Sequence, residues 1–179
     1  MTQPFCTQNG FRPPTEAEWE YAYRASTTTA FHSYPAQPTG FNNDTLLSNI
    51  AWYSGNSSNQ THAVGGKFAN GLGLHDMAGN LWEWCQDWYS STYYASSPVT
   101  NPTGLSFGTA RLLRGGGWYS GSSHCRASRR IGYTPDDVGS SVSAPVIFGT
   151  PAMAKTVQAL KKQIDPNNRF RFHPFAKFV

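Results

Sequence analysis

Gly73-Leu74-His75-Asp76-Met77-Ala78-Gly79-Asn80-Leu81-Trp82-Glu83-Trp84 is the most informative run in the 179-residue chain. Its apolar beginning is interrupted by Gly79-Asn80, a pair that favours a sharp turn. Leu81 and Glu83 then alternate with Trp82 and Trp84, which predicts a short strand with one aromatic face. Downstream, Arg111-Leu112-Leu113-Arg114-Gly115-Gly116-Gly117-Trp118 reads as a second strand ending in three glycines. Such a run lets the backbone turn tightly or come close to another segment. Upstream, Thr15 can cap a helix and Glu18 can answer it three residues later. Glu16 and Glu18 also suit the positive end of the helix dipole. Ala17, Tyr21 and Ala25, with Ala22 beside them, supply a packing face, so the pattern predicts a helix over 15–25. Residues 26–71 are rich in Thr, Asn, Ser, Gly and Pro and read as ordered loop with short turns.

Composition narrows the class. Charged residues make up only 13% of the chain, against 17 Gly and 12 Pro, which excludes a coiled coil or a long helical bundle. Aromatics at 15% argue against disorder, because such a chain can bury a core. No apolar run approaches the roughly 20 residues that span a bilayer. The opening Met1-Thr2-Gln3-Pro4 carries neither a basic nor an apolar signal region, so no signal peptide and no membrane partner are expected. The net charge of +4 comes from Arg111, Arg114, Arg126, Arg129 and Arg130 and from lysines and arginines after residue 150, while Lys67 is the lone cation between Ala25 and Ala110. Internal pairing of the arginines and a solvated lysine face are expected, rather than a nucleic-acid surface. Cys6, Cys85 and Cys125 are widely spaced, without a disulfide framework or zinc pattern. His32, His62, His75, His124 and His173 show no helical pairing, so a helical iron site is unsupported.

These segments resemble a known family. Arg12-Pro13-Pro14-Thr15-Glu16-Ala17-Glu18-Trp19-Glu20-Tyr21-Ala22 is similar to the "RLPTEAEWEYA" opening of the formylglycine-generating enzyme, or sulfatase-modifying factor, family. Gly73 to Trp84 resembles its "GLYDMAGNVWEW", Arg111 to Trp118 its "RVLRGGSW", and Cys125-Arg126 with Arg130 its "CRSAxR". The resemblance covers about residues 11–142 and implies an α+β, C-type-lectin-like, loop-rich fold. The family's earlier strands have no counterpart, so residues 1–142 are expected to form an N-terminally truncated domain. Where the closing "GFR" strand is expected, the chain continues as Ser143-Ala144-Pro145. Residues 143–179 read as a divergent tail with a helix bearing Met153, Val157, Leu160 and Ile164 on one face. Its Asp165-Pro166-Asn167-Asn168 turn is similar to the C-terminus of FAD-linked oxidases, a short match that gives no reason to expect FAD.

The resemblance also places chemistry. Catalytic members oxidise a sulfatase cysteine to formylglycine with Cu(I) held by two cysteines after the "GGS". Those positions fall on Ser120 and Cys125, and the serine of "GGS" falls on Gly117. A hydroxyl is a poor ligand for Cu(I), so copper and oxidase activity are not expected, and Cys125 is expected to be a small buried hydrophobe. A different thiol pair, using Cys85 or Cys6, is the alternative that keeps the oxidase. Calcium is the expected metal, through Asp76, Gly79, Leu81 and Glu83, all oxygen donors suited to a hard cation. The competing reading has Asp76 and Glu83 capping a turn and pairing with an arginine such as Arg114. A second family calcium site begins near Asn49-Ile50, but its later acidic ligand has no counterpart.

Retroelement-diversified binding proteins share this fold and vary the residues after the glycines. Trp118, Tyr119, Ser120, Ser123, His124, Arg129 and Tyr133 fall in that window and are the expected surface for a protein or peptide ligand. Gly115 to Gly117 are expected to floor this surface, with Arg126 and Arg130 turned inward to brace it. Trp52, Trp82, Trp84, Trp88 and Trp118 are expected in the core.

Overall fold

A computed structural model describes residues 13–134. The expected tail helix, the Asp165-Pro166 turn, the boundary at 142, Arg12 and Cys6 lie outside the described residues. Within them the order is α1 (Glu16–Arg24), a 3-10 turn (Asp44–Asn49), β1 (Ala51–Trp52), β2 (Ala78–Gly79) and β3 (Glu83–Trp88), followed by α2 (Tyr93–Ser96), β4 (Arg111–Arg114), a second 3-10 turn (Ser122–Cys125) and β5 (Ile131–Tyr133). Strands β3, β4 and β5 form an antiparallel sheet in that order, and β1 pairs with β2 in parallel. The architecture is α+β.

Helix α1 starts where the sequence places it. Thr15 Oγ1 accepts the Glu18 N–H, and the Glu18 carboxylate accepts the Thr15 N–H at 2.7 Å, a complete capping box. Ala25, in the left-handed region with φ 46°, ends it and donates back to the Tyr21 carbonyl. The buried face is not the Ala17–Tyr21–Ala25 row expected from the sequence. Glu16, Trp19 and Tyr23 point inward, while Tyr21 is half-exposed. The reason is electrostatic: the sheet presents Arg114 to the helix, and the helix turns a carboxylate toward it.

Strand β3 corrects a second expectation. Its buried positions are Glu83, Cys85 and Asp87, while Trp84, Gln86 and Trp88 are half-buried. The aromatic face is therefore the outer one, where Trp88 lies beneath the Arg111 guanidinium at 3.6 Å. Of the five tryptophans expected in the core, Trp82 is buried, whereas Trp52, Trp84, Trp88 and Trp118 are half-buried. Each has a polar or aromatic neighbour covering part of its ring, which lets a large side chain stay at the surface. The core itself joins Trp19 and Tyr23 to Phe31, Leu47, Ile50, Leu74, Cys85, Leu112 and Cys125.

Candidate functional site

Two turns are laced together by their main chains. At the end of β2, Gly79 (φ 76°) and the following Asn80 (φ 62°) reverse the chain in the left-handed region. After β4, Gly115 (φ 93°) and Gly116 (φ 80°) do the same. The Gly79 N–H donates to the Gly115 carbonyl and the Trp118 N–H to the Asn80 carbonyl, both at 2.8 Å. Glycine is required at Gly79 because a Cβ there would lie 2.2 Å from the Trp52 carbonyl oxygen. Asn80 carries the lacing further, accepting the His62 N–H and donating to the His62 carbonyl at 3.0 Å.

The calcium-type positions sit on the first turn. Glu83 is buried and its carboxylate accepts the Trp19 indole N–H. Burial pushes the Glu83 carboxyl well above its ordinary value, the indole N–H draws it back, and the Asp76 charge pushes it up again. Arg114 does not pair with it. Its guanidinium lies over the Trp19 ring, 4.9 Å from the ring centre, and engages Glu16 and Glu20. The competing reading, with Glu83 paired to Arg114, does not hold: among the described residues Glu83 forms no ion pair with an arginine. Asp76 adopts φ 57° and accepts the Gly65 N–H at 2.6 Å, while the Gly79 carbonyl accepts the Leu81 N–H at 2.8 Å. Asp76 lies near enough for its charge to act on Glu83, and both side chains carry the oxygen donors that a hard cation takes. Among the described residues no three His, Cys, Asp or Glu side chains converge on a metal position. At the second family position, the Asn49 side chain instead donates to the Tyr34 hydroxyl at 3.1 Å.

The copper-type positions fit copper poorly. Ser120 is buried and its hydroxyl oxygen accepts the Gly117 N–H at 3.1 Å, closing the turn it belongs to. Cys125 is fully buried, and burial pushes its thiol up to about 12, so the thiolate that binds soft metals is strongly disfavoured. Cys85 is also buried and free, with its thiol raised by burial.

The proposed ligand surface divides. Tyr119, Ser123 and Arg129 are exposed, whereas Trp118, His124 and Tyr133 are half-buried. Ser120 is not on this surface, because its hydroxyl is spent on the turn. His124 packs edge-on to Trp82, and burial, aided by the Arg129 charge, lowers it below its ordinary value. Arg126 does not brace the loop. It is exposed, with its guanidinium 5.5 Å from the Phe31 ring centre. Arg130 does turn in, with a bidentate bond to Glu16 and a donation to the Ser90 carbonyl. The main brace is Arg114, fully buried, which donates to the Ala127 and Arg129 carbonyls at 2.6 Å. An arginine closing the strand Arg111–Arg114 was the signal for it, since five donors in one side chain suit an irregular loop.

Residues 2–143 match the family described as Sulfatase-modifying factor enzyme 1-like domain. The chain is 38% identical over 143 residues to a formylglycine-generating enzyme of Streptomyces coelicolor, covering 71% of this chain and 43% of that protein. It is 40% identical over 134 residues to the serine/threonine-protein kinase Pkn1 of Chlamydia trachomatis, covering 74% of this chain and 20% of that one. Among solved structures, Treponema denticola variable protein 1 superposes with a TM-score of 0.62 at 38% identity, covering 69% of this chain and 42% of that chain. The chain spans less than half the length of these relatives. By sequence and by fold, this chain belongs to the Sulfatase-modifying factor enzyme 1-like domain family.

Proposed function

We propose that the domain is a non-catalytic member of its family, a binding module whose turn at Asp76–Glu83 holds a structural calcium ion. The observation that carries the first half is the pair Ser120 and Cys125. A hydroxyl already used by the Gly117 N–H stands where a thiolate is required, and the remaining thiol is buried and protonated. The other described thiol, Cys85, is equally buried, which gives no support to an oxidase built on a different pair. The family domain also occurs in relatives that are not named as formylglycine-generating enzymes, among them a protein kinase and a variable protein. Calcium is supported by the buried Glu83 carboxylate beside Asp76, whose charges a divalent cation would compensate. The ion would fix the turn and carry no step of chemistry.

The test is direct. The full chain, supplied with copper, oxygen and a sulfatase-type cysteine peptide, yields no product that reacts with an aldehyde probe. Formation of the aldehyde overturns the reading. The binding face is Tyr119 with Ser123 and Arg129. Peptides selected from a library on the folded chain should lose affinity on Tyr119→Ala without loss of stability.

A further inference from the structure

Away from that face, the turn at 33–38 and the loop at 65–71 flank an open cleft of about 820 Å³, within the range of small-molecule sites. One wall is aromatic. The Tyr34 and Phe68 rings stack nearly parallel, 5.5 Å apart at 12°, and Phe68 stays 51% exposed despite its apolar ring. Phe68 is pinned by its N–H to the Asn49 carbonyl at 3.0 Å, and the Asn49 side chain fixes the Tyr34 hydroxyl. Pro35 and Pro38 add rigid apolar surface.

Lys67 is the one formally charged residue in the lining, which also contains His75 and no Asp or Glu. The Lys67 ammonium lies 3.7 Å from the Trp52 ring centre, with no carboxylate recorded within ion-pair distance among the described residues. The Lys67 carbonyl can only accept, so His75 donates to it through Nδ1 at 2.8 Å. One carboxylate touches this wall from outside the lining: Asp76, whose Oδ2 accepts the Gly65 N–H. We propose that this cleft is a binding site for a small aromatic carboxylate, its ring laid on the Phe68–Tyr34 wall and its carboxylate drawn to Lys67. A flat ring extends an existing stack, and a charge-assisted contact to an ammonium lacking a carboxylate partner supplies orientation.

Amide shifts in the isotope-labelled full chain test this with three isosteric probes: p-toluate, p-toluamide and p-methylbenzylamine. The expected result is saturable shifts at Gly65, Gly66, Phe68 and Gly71, with p-toluate binding about tenfold more tightly than the amide, the gain of one charge-assisted contact. Lys67→Met reduces p-toluate to the affinity of p-toluamide, Lys67→Arg retains most of it, and Phe68→Ala weakens the acid and the amide alike. If Lys67→Met loses its native spectrum, the order of the three probes on the unaltered chain decides. Equal binding of acid, amide and amine, shifts confined to residues 117–133, or no saturable binding of p-toluate would each overturn the proposal.

Discussion

The Trp19 indole N–H donates to the Glu83 carboxylate across 64 positions of sequence, while the Arg114 guanidinium lies against the same indole ring. One side chain thus stands between a buried carboxyl group and a buried guanidinium that do not pair. Trp19→Phe keeps a ring against Arg114 and removes the only recorded donor to Glu83 among the described residues. Stability should fall by about 1–3 kcal/mol, the usual cost of a buried partner left unsatisfied, as read by denaturant unfolding.

Calcium provides a sharper test of the same carboxylate. At a concentration a hundredfold above its dissociation constant, the ion should stabilise the folded chain by about 2.7 kcal/mol. Asp76→Asn should remove that response. Glu83→Gln should also remove it, yet raise the melting temperature of the metal-free chain, because it deletes the ionisation that burial opposes. Calorimetry with and without calcium checks both, and an undiminished calcium response in Glu83→Gln would exclude the turn as the site.

Asp87 makes stability depend on pH. Its Oδ2 accepts the Glu16 N–H, its Oδ1 is buried without a recorded partner, and burial raises the carboxyl to about 6. Between pH of about 4 and 6 the native state therefore holds a proton that the unfolded chain has released. The contribution is most favourable below that window, falls as pH rises through it, and is flat above. The loss should be on the order of 2 kcal/mol, and Asp87→Asn should flatten this segment of a stability–pH profile measured by urea unfolding. The raised Glu83 carboxyl contributes a slope of the same sign that remains in the variant.

Arginines separate by burial. Arg114→Met leaves the Glu20 carboxylate and the Ala127 and Arg129 carbonyls without their Arg114 donor, removes the ion-pair contact to Glu16, and should cost about 3–5 kcal/mol. Arg126→Ala, at an exposed position, should change stability by no more than about 0.5 kcal/mol. Thermal unfolding of the two variants side by side gives the comparison.

Local chemistry was legible in the sequence and long-range polarity was not. The Thr15–Glu18 capping box lies within one helical turn, so its spacing alone reveals it. The triple glycine after β4 was equally plain, and its positive φ angles fulfil the expected tight reversal. The inward face of α1 is not the Ala17–Tyr21–Ala25 row but Trp19, Tyr23 and a buried carboxylate, Glu16. Its partner Arg130 lies 114 residues away, and no local pattern announces a pairing at that distance. Asp87 gave no signal for the same reason: the helix whose Glu16 N–H it accepts is remote in sequence. At the site, family likeness located Ser120, Cys125 and Asp76, but only the three-dimensional packing separated Ser120 from its exposed neighbour Tyr119.

The lacing of the Gly79–Asn80 turn to the Gly115–Trp118 turn depends on amide and carbonyl groups, which all residues but proline share. The loop from Tyr119 to Ser123 hangs from that frame, with the Ser54 N–H donating to the Ser120 carbonyl and the Tyr119 ring edge-on against Trp118. Substitution at the exposed Ser123 therefore leaves the main-chain lacing, and with it the shape of the scaffold, in place. The same division makes the domain a natural starting point for libraries in which shape is inherited and recognition is drawn anew.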